Sequence, residues 1–338
     1  MVRPGARNLI TDVAGLRVGQ AEDERVRTGV TVLLGDAPVT AVVDVRGGAP
    51  GTRDTEALDP VNLAGAADAI VLSGGSVFGL DAPAGVTAWL RAQGRGFEIR
   101  PGAPRVPIVP GAILFDLVNG GDKNWGEETP YRALGMRATT SAGLDFALGN
   151  AGAGYGATAG VYKGGLGSVS AVTDDGITIG AIAAVNSLGS PLMPGTDVFW
   201  AFPFEQNDEF GGRRLKSVMP LDLDLPADMK GARPRENTTI AIVATDADLD
   251  RLELARLAIM AADGFARALR PVHTPFDGDV VFAVSTGRRP LADPRIGLAG
   301  LGAIAANTLA RATARAVYEA SALPFPGALP SWRDRFGG

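Results

Sequence analysis

Short apolar runs of strand type, most bounded by glycine or a polar turn, recur along the chain: RTGVTVLL (27–34), TAVVDV (40–45), AIVLSGG (69–75), ITIGAIAAVNS (177–187), TTIAIVAT (238–245) and VVFAVST (280–286). Runs this short and rich in β-branched residues suit buried strands, whereas a membrane helix needs about 18 to 20 consecutive apolar residues. Between them lie segments of helical spacing. FGLDAPAGVTAWLRAQG (78–94) is one; in a second, Leu254, Leu257, Ala258, Ala261 and Phe265 share a face, with Asp246 or Asp248 placed as its cap; a third, rich in Ala and Leu, runs over roughly 298–320. The alternation predicts an α/β fold with no fixed-period repeat. Glycine, 46 of 338 residues, implies many tight turns and close backbone approaches.

Composition removes several chemistries. Cysteine is absent and His273 is the single histidine, which excludes cysteine nucleophiles, disulfides, thiolate zinc sites and two-histidine metalloprotease motifs. The 32 basic and 37 acidic residues are interspersed, so no basic stripe offers itself to nucleic acid. The opening MVRPGARNLITDV has no apolar core of signal-peptide length. The expectation is a cytoplasmic protein without a membrane or nucleic-acid partner.

The stretch from Glu205 to Asn237 is rich in charge, proline and glycine and predicts a long exposed connection, after which the chain passes abruptly into the strand TTIAIVAT. Such a junction marks either a domain or insertion boundary, or a place where the chain is cut. A cut between Asn237 and Thr238 would leave Thr238 with a free α-amine. A threonine hydroxyl is a poor nucleophile until a base adjoins it, and an α-amine of pKa about 7.7 to 8 supplies one on the same residue.

Two other features invite chemistry. GNAGAGYGATAG (149–160) has the glycine density of a phosphate loop, but no first strand of Rossmann type precedes it, so close backbone packing is the reading preferred. Asp277 and Asp279 flank Gly278 at the entry to a strand, where alternation puts both carboxylates on one face. Like charges so placed shift each other's pKa, and no further oxygen ligands stand nearby to suggest a metal.

From about Asn8 to Ala320 the chain resembles the L-aminopeptidase/D-esterase family of self-processing N-terminal-nucleophile hydrolases, which includes β-peptidyl aminopeptidases and nylon-oligomer hydrolases. The resemblance rests on eight blocks in the family's order: VDVRGGAPGTRDT (43–55), VLSGGSVFGLDAP (71–83), PIVPGAILFDL (107–117), GNAGAGYGATAG, KGGLGSVS (163–170), AVNSLG (184–189), NTTIAIVATDA (237–247) and HTPFDGDVVFAVSTG (273–287). It implies a four-layer αββα sandwich of the aminopeptidase/ornithine acetyltransferase type. The single domain 1–338 would be processed into 1–237 (α subunit) and 238–338 (β subunit), assembled as a tetramer of processed units.

By the same resemblance Thr238 is the nucleophile, Asn186 the oxyanion donor, and Asp277 and Asp279 the pair that orients the Thr238 amine and hydroxyl. Lys163 stands for the family lysine, Gly75 and Ser76 lie at the pocket margin, and Phe115 replaces the tyrosine of several branches. His273 packs or hydrogen-bonds near the acidic pair. The implied activity is aminopeptidase or amidase action on a small peptide or amide, with no cofactor or metal. The alternatives are an acyltransferase resembling ornithine acetyltransferases and a non-catalytic scaffold.

Overall fold

A computed structural model describes residues 2–217, 227–231 and 237–337. Its strands are β1 (Leu16–Asp23), β2 (Thr28–Val45), β3 (Thr52–Arg53), β4 (Ala66–Ser73), β5 (Gly111–Ile113), β6 (Thr158–Ala159), β7 (Tyr162–Lys163), β8 (Gly165–Val172), β9 (Thr178–Asn186), β10 (Thr238–Ala247) and β11 (Val280–Arg289). The helices are α1 (Ala82–Ala92), α2 (Tyr131–Thr140), α3 (Arg251–Ala268), α4 (Pro294–Tyr318) and α5 (Trp332–Phe336). Nine strands hydrogen-bond in the order β3-β5-β4-β2-β11-β10-β9-β8, with β1 on β2, and β6 pairs with β7 apart from them.

This continuous network is folded into two layers by β2. The two short runs at 27–34 and 40–45 are one strand of 18 residues, exposed only around its middle, at Asp36, Ala37 and Pro38, and at its last residue. Its first half pairs with β1 and its second half, Thr40–Val45, with β11. Side-chain alternation then builds three apolar layers. Ile240, Ile242 and Ala244 of β10 meet Leu33, Ile70 and Leu72 between the sheets. Ala241 and Val243 of β10 point the other way, onto Leu254, Leu257 and Phe265 of α3 and Leu309 of α4. Val30 and Val32 of β2 pack outward on Val86 and Leu90 of α1 and Leu134 of α2. The result is an αββα sandwich.

The predicted apolar face of α3 is buried throughout, but its cap is Asp250, whose carboxylate accepts from Leu252 N and Glu253 N in a capping box with Glu253. Asp246 instead stays within β10, because that strand runs on to Ala247, and it accepts from Thr178 N at 2.7 Å. The close approach of α4 to β8 depends on glycine: a Cβ at Gly167 would lie 2.1 Å from the Ala312 carbonyl oxygen.

The sheet runs across the junction at residue 237. β10 lies inside the sheet, antiparallel to β9 from before the junction and parallel to β11 from after it. The long connection also departs from the exposed course predicted for it. Phe210 is buried edge-on against Phe199, and the Glu209 carboxylate pairs with buried Arg311 through Nε at 2.5 Å and Nη2 at 2.9 Å. Farther along, Asp228 Oδ2 accepts from Ser190 Oγ at 2.5 Å and Lys230 N donates to the Leu188 carbonyl at 2.8 Å. The remainder of that connection, 218–226 and 232–236, lies outside the described residues.

Arg311 also donates to the Ser170 carbonyl and Asn8 Oδ1, so it ties α4 to the N-terminal segment and the connection at once. Replacing Arg311 by Ala strands the Glu209 carboxylate in the interior and is expected to cost about 3 to 5 kcal/mol. Urea unfolding of the variant beside the wild type measures this; a loss below 1 kcal/mol would show that the pair is not a structural tie.

Candidate active site

The register of the two central strands places Thr238, first residue of β10, directly across from Asn186, last residue of β9. Both are buried at the same end of the sheet. The Thr238 hydroxyl lies 2.5 Å from the carbonyl oxygen of Asn237, and the same oxygen accepts from Gly278 N at 2.9 Å. A hydroxyl, the carbonyl preceding it and a main-chain donor on that carbonyl are thus gathered at one strand end.

The Asn186 amide is oriented by its partners. Oδ1 accepts from Thr158 N at 3.0 Å, from Thr158 Oγ1 at 3.3 Å and from Lys230 Nζ at 3.3 Å, while Nδ2 donates to the Phe115 carbonyl at 3.0 Å. Donors crowd the oxygen and force the NH2 toward the opposite side, where Phe115 stands. This fixed dipole is the arrangement that a developing oxyanion can use.

Asp277 and Asp279 are both buried beside this end of β10, but neither carboxylate bonds the Thr238 hydroxyl. Asp279 Oδ1 accepts from Thr239 N at 2.7 Å, one residue beyond Thr238, and Oδ2 lies 2.8 Å from His273 Nδ1. Asp277 Oδ2 accepts from Thr274 N at 2.9 Å and Thr274 Oγ1 at 2.7 Å. Burial, then the neighbouring Asp279 charge, pushes the Asp277 carboxyl above its ordinary pKa. Two buried carboxylates therefore brace the turn around Gly278. Among the described residues, no three histidine, aspartate or glutamate side chains gather as a metal site would require.

Two clefts meet at Phe115. One, of about 560 Å³, is lined by Gly48 to Thr52, Ser76, Val77, Phe115 and Thr238. The other, of about 430 Å³, is lined by Phe115, Asp116, Asn119, Thr158, Asn186 and Lys230. Ser76 stands at the margin of the first with φ +53°, and Gly75 directs its N–H to Asp116 Oδ1 at 2.7 Å.

Lys163 is buried in β7 and donates to the carbonyls of Gly154 at 3.0 Å and Gly164 at 2.6 Å, with no hydrogen bond to Thr238 or Asn186. Its link to the site runs through Thr158, its register partner, which holds Asn186 Oδ1. The glycine-rich stretch around it forms a 3₁₀ turn at Gly152–Gly154 and no nucleotide-type helix. Burial lowers the Lys163 pKa to about 7, a shift the charge of Asp116 partly opposes. Asp116 is itself buried, accepts from Thr28 Oγ1 at 2.7 Å, and is raised by desolvation.

Sequence reasoning missed Asp116, Thr158, Lys230 and Gly278. A lone carboxylate inside the apolar run GAILFDL was a legible signal for Asp116, since buried acids are rare without a task. The others carry no local mark.

The fold and site define an αββα hydrolase with its candidate nucleophile at the head of a central strand. The chain belongs to peptidase family S58, whose model matches residues 8–326. It is 40% identical over 350 residues to an uncharacterized aminopeptidase of Mycobacterium bovis, with 98% of both chains covered. It is 30% identical over 297 residues to the 6-aminohexanoate-oligomer endohydrolase of an Agromyces strain, covering 84% of this chain and 77% of the relative. Among solved structures, a β-aminopeptidase from a Burkholderia species aligns over 98% of this chain and 92% of its own, with a TM-score of 0.71 and 24% identity. The L-aminopeptidase D-Ala-esterase/amidase of Ochrobactrum anthropi aligns over 99% and 96%, with a TM-score of 0.71 and 21% identity. At these last two identities the likeness concerns the fold.

Lys163 offers a direct check on the electrostatics. Its folded-state pKa of about 7 lies below the ordinary lysine value of about 10.4, so between those values the unfolded chain holds a proton that the folded chain has lost. Stability from this group therefore rises with pH across that window, as the burden of a buried ammonium is lifted. Relative to Lys163→Met, the wild type should gain unfolding free energy between pH 7 and pH 10. Parallel profiles in urea titrations would mean that the lysine stays charged.

Proposed function

We propose that this aminopeptidase/amidase of family S58 matures by cutting its own Asn237–Thr238 bond and then uses Thr238 as an N-terminal nucleophile on small peptides or amides. The observation that carries the reading is the position of Thr238: first residue of a central strand, hydroxyl against the preceding carbonyl, and paired across the sheet with Asn186.

In the processed enzyme the free α-amine of Thr238 takes the hydroxyl proton while Oγ1 attacks the substrate carbonyl. The Asn186 Nδ2 donor stabilises the tetrahedral oxyanion, the leaving amine receives the proton, and water releases the acyl group from Oγ1. Asp279, bonded to Thr239 N, keeps the first residues of β10 in place once the chain ahead of them is gone. The two clefts flanking Phe115 have volumes of about 560 and 430 Å³, the size of sites for small ligands, which favours short substrates. The names carried by the Mycobacterium and Burkholderia relatives support aminopeptidase action in particular.

Intact-mass measurement of the purified protein tests the cut. Dividing 34.7 kDa by residue number at 237 gives fragments of about 24 and about 10 kDa. Thr238→Ala should stay whole and inactive, while Thr238→Ser should retain part of both functions. A fully active, uncut wild-type chain would overturn the reading.

Asn186→Ala should lower kcat by about 10²-fold to 10³-fold. Steady-state kinetics on an aminoacyl amide decide this, and an unchanged kcat would remove Asn186 from the mechanism.

A further inference from the structure

We propose that self-cleavage and substrate turnover use different oxyanion donors on the same nucleophile: the main-chain N–H of Gly278 serves the cut, and the Asn186 amide serves turnover. The inference rests on the processing reading above and adds a site to it. The donor observed on the scissile carbonyl is Gly278 N, 2.9 Å from Asn237 O. Asn186 directs its NH2 to the Phe115 carbonyl and takes its orientation from Thr158 and Lys230. It lies across the β9–β10 ladder from Thr238, whereas Gly278 approaches from the β11 side, where Asn237 bridges Asp277. The two donors thus reach the end of β10 from its two opposite neighbours.

The step balances without any added reagent. Thr238 Oγ1 bonds to the carbonyl carbon of Asn237, and the negative charge that collects on the carbonyl oxygen is held by Gly278 N–H. The C–N bond to Thr238 then breaks, and the hydroxyl proton ends on the departing nitrogen, leaving an ester on Oγ1 and a free amine. Water adds to the ester, and Asn237 departs as a carboxylate with the threonine hydroxyl restored.

Three observations converge on the turn. Asp277 is held by Thr274 and Asp279 by Thr239 and His273, so the peptide between them is fixed on both sides. The two acids act here as positioning residues for the Gly278 N–H. Space at the turn admits only glycine: a Cβ on Gly278 would stand 2.8 Å from Thr238 Oγ1 and 2.7 Å from the Ala49 carbonyl oxygen. Finally, the buried side chain of Asn237 finds no hydrogen-bond partner for either Nδ2 or Oδ1 among the described residues. The uncut state thus keeps two polar atoms unsatisfied in the very residue that scission releases, which disfavours the precursor relative to the cut product.

The full-length chain carrying glycolic acid in place of Gly278, made by nonsense suppression during in vitro translation, exchanges the N–H for an ester oxygen without adding bulk. Intact-mass time courses should show its scission slowed by about 10²-fold to 10³-fold, the loss that follows removal of one oxyanion donor. Asn186→Ala should be cut at the wild-type rate while its turnover falls. Wild-type scission in the glycolic acid chain would overturn the assignment, and so would an Asn186→Ala chain that stays whole. A wild-type chain that is never cut, or is cut at another bond, defeats the processing reading itself and is told apart by the wild-type mass alone.

Discussion

Strand β10 is hydrogen-bonded along both edges and buried on both faces, and the geometry of the site follows from that confinement. An antiparallel partner on one side and a parallel partner on the other fix the register of all three strands, because a slip of one residue would turn Ile240, Ile242 and Ala244 out of one apolar layer and into the other. The cost of such a slip is paid over ten residues, yet its consequence is felt at the first. Thr238 faces Asn186 across one ladder, and Asn237 bridges Asp277 across the other. Candidate catalytic side chains that would be loose on a loop are held at the end of a strand confined on both edges and both faces.

Electrostatics near this strand end are shaped by burial. Asp116, Asp277 and Lys163 each lose water, and in each case desolvation leads the shift toward the neutral form. Hydrogen bonds compensate in part: the Thr28 hydroxyl and Gly75 N–H donate to Asp116, Thr274 N–H donates to Asp277, and two carbonyls accept from Lys163. A region so poor in mobile charge is one in which a fixed N–H dipole acts strongly on a developing oxyanion.

Much of the architecture was legible because both faces of the central strands are buried, which writes β9, β10 and β11 into the sequence as unbroken apolar runs. The helix face of α3 was equally plain from its spacing. Local punctuation misled where tertiary structure overrode it. Gly35 and Pro38 read as the end of a strand, yet β2 continues through them because it must serve both sheets. The connection after Glu205 reads as exposed because its charges dominate its composition, while Glu209 meets its counter-charge on Arg311, far away along the chain, and leaves no periodic trace. At the site, Thr238, Asn186 and the acidic pair were approachable through motif context and the chemistry of an N-terminal amine. The Gly278 donor was not, since a backbone N–H has no residue type to betray it.

A cut at Asn237–Thr238, as proposed above, would ask little of the fold. Thr238 would remain bonded into two ladders through the residues that follow it, with Thr239 N on Asp279 Oδ1. The fragments on either side of residue 237 share one interior: β9 and β2 come from the first, β10 and β11 from the second, and the apolar layer between the sheets takes side chains from both. Separating them would expose that layer to water at about 25 cal/mol per Å². Ahead of that bond, Lys230 Nζ reaches Asn186 Oδ1 in the cleft lined by Asp116 and Asn119. Were the bond cut as proposed, Lys230 would lose its C-terminal tether to β10, and a substrate group could compete for the place its ammonium holds beside Asn186 Oδ1.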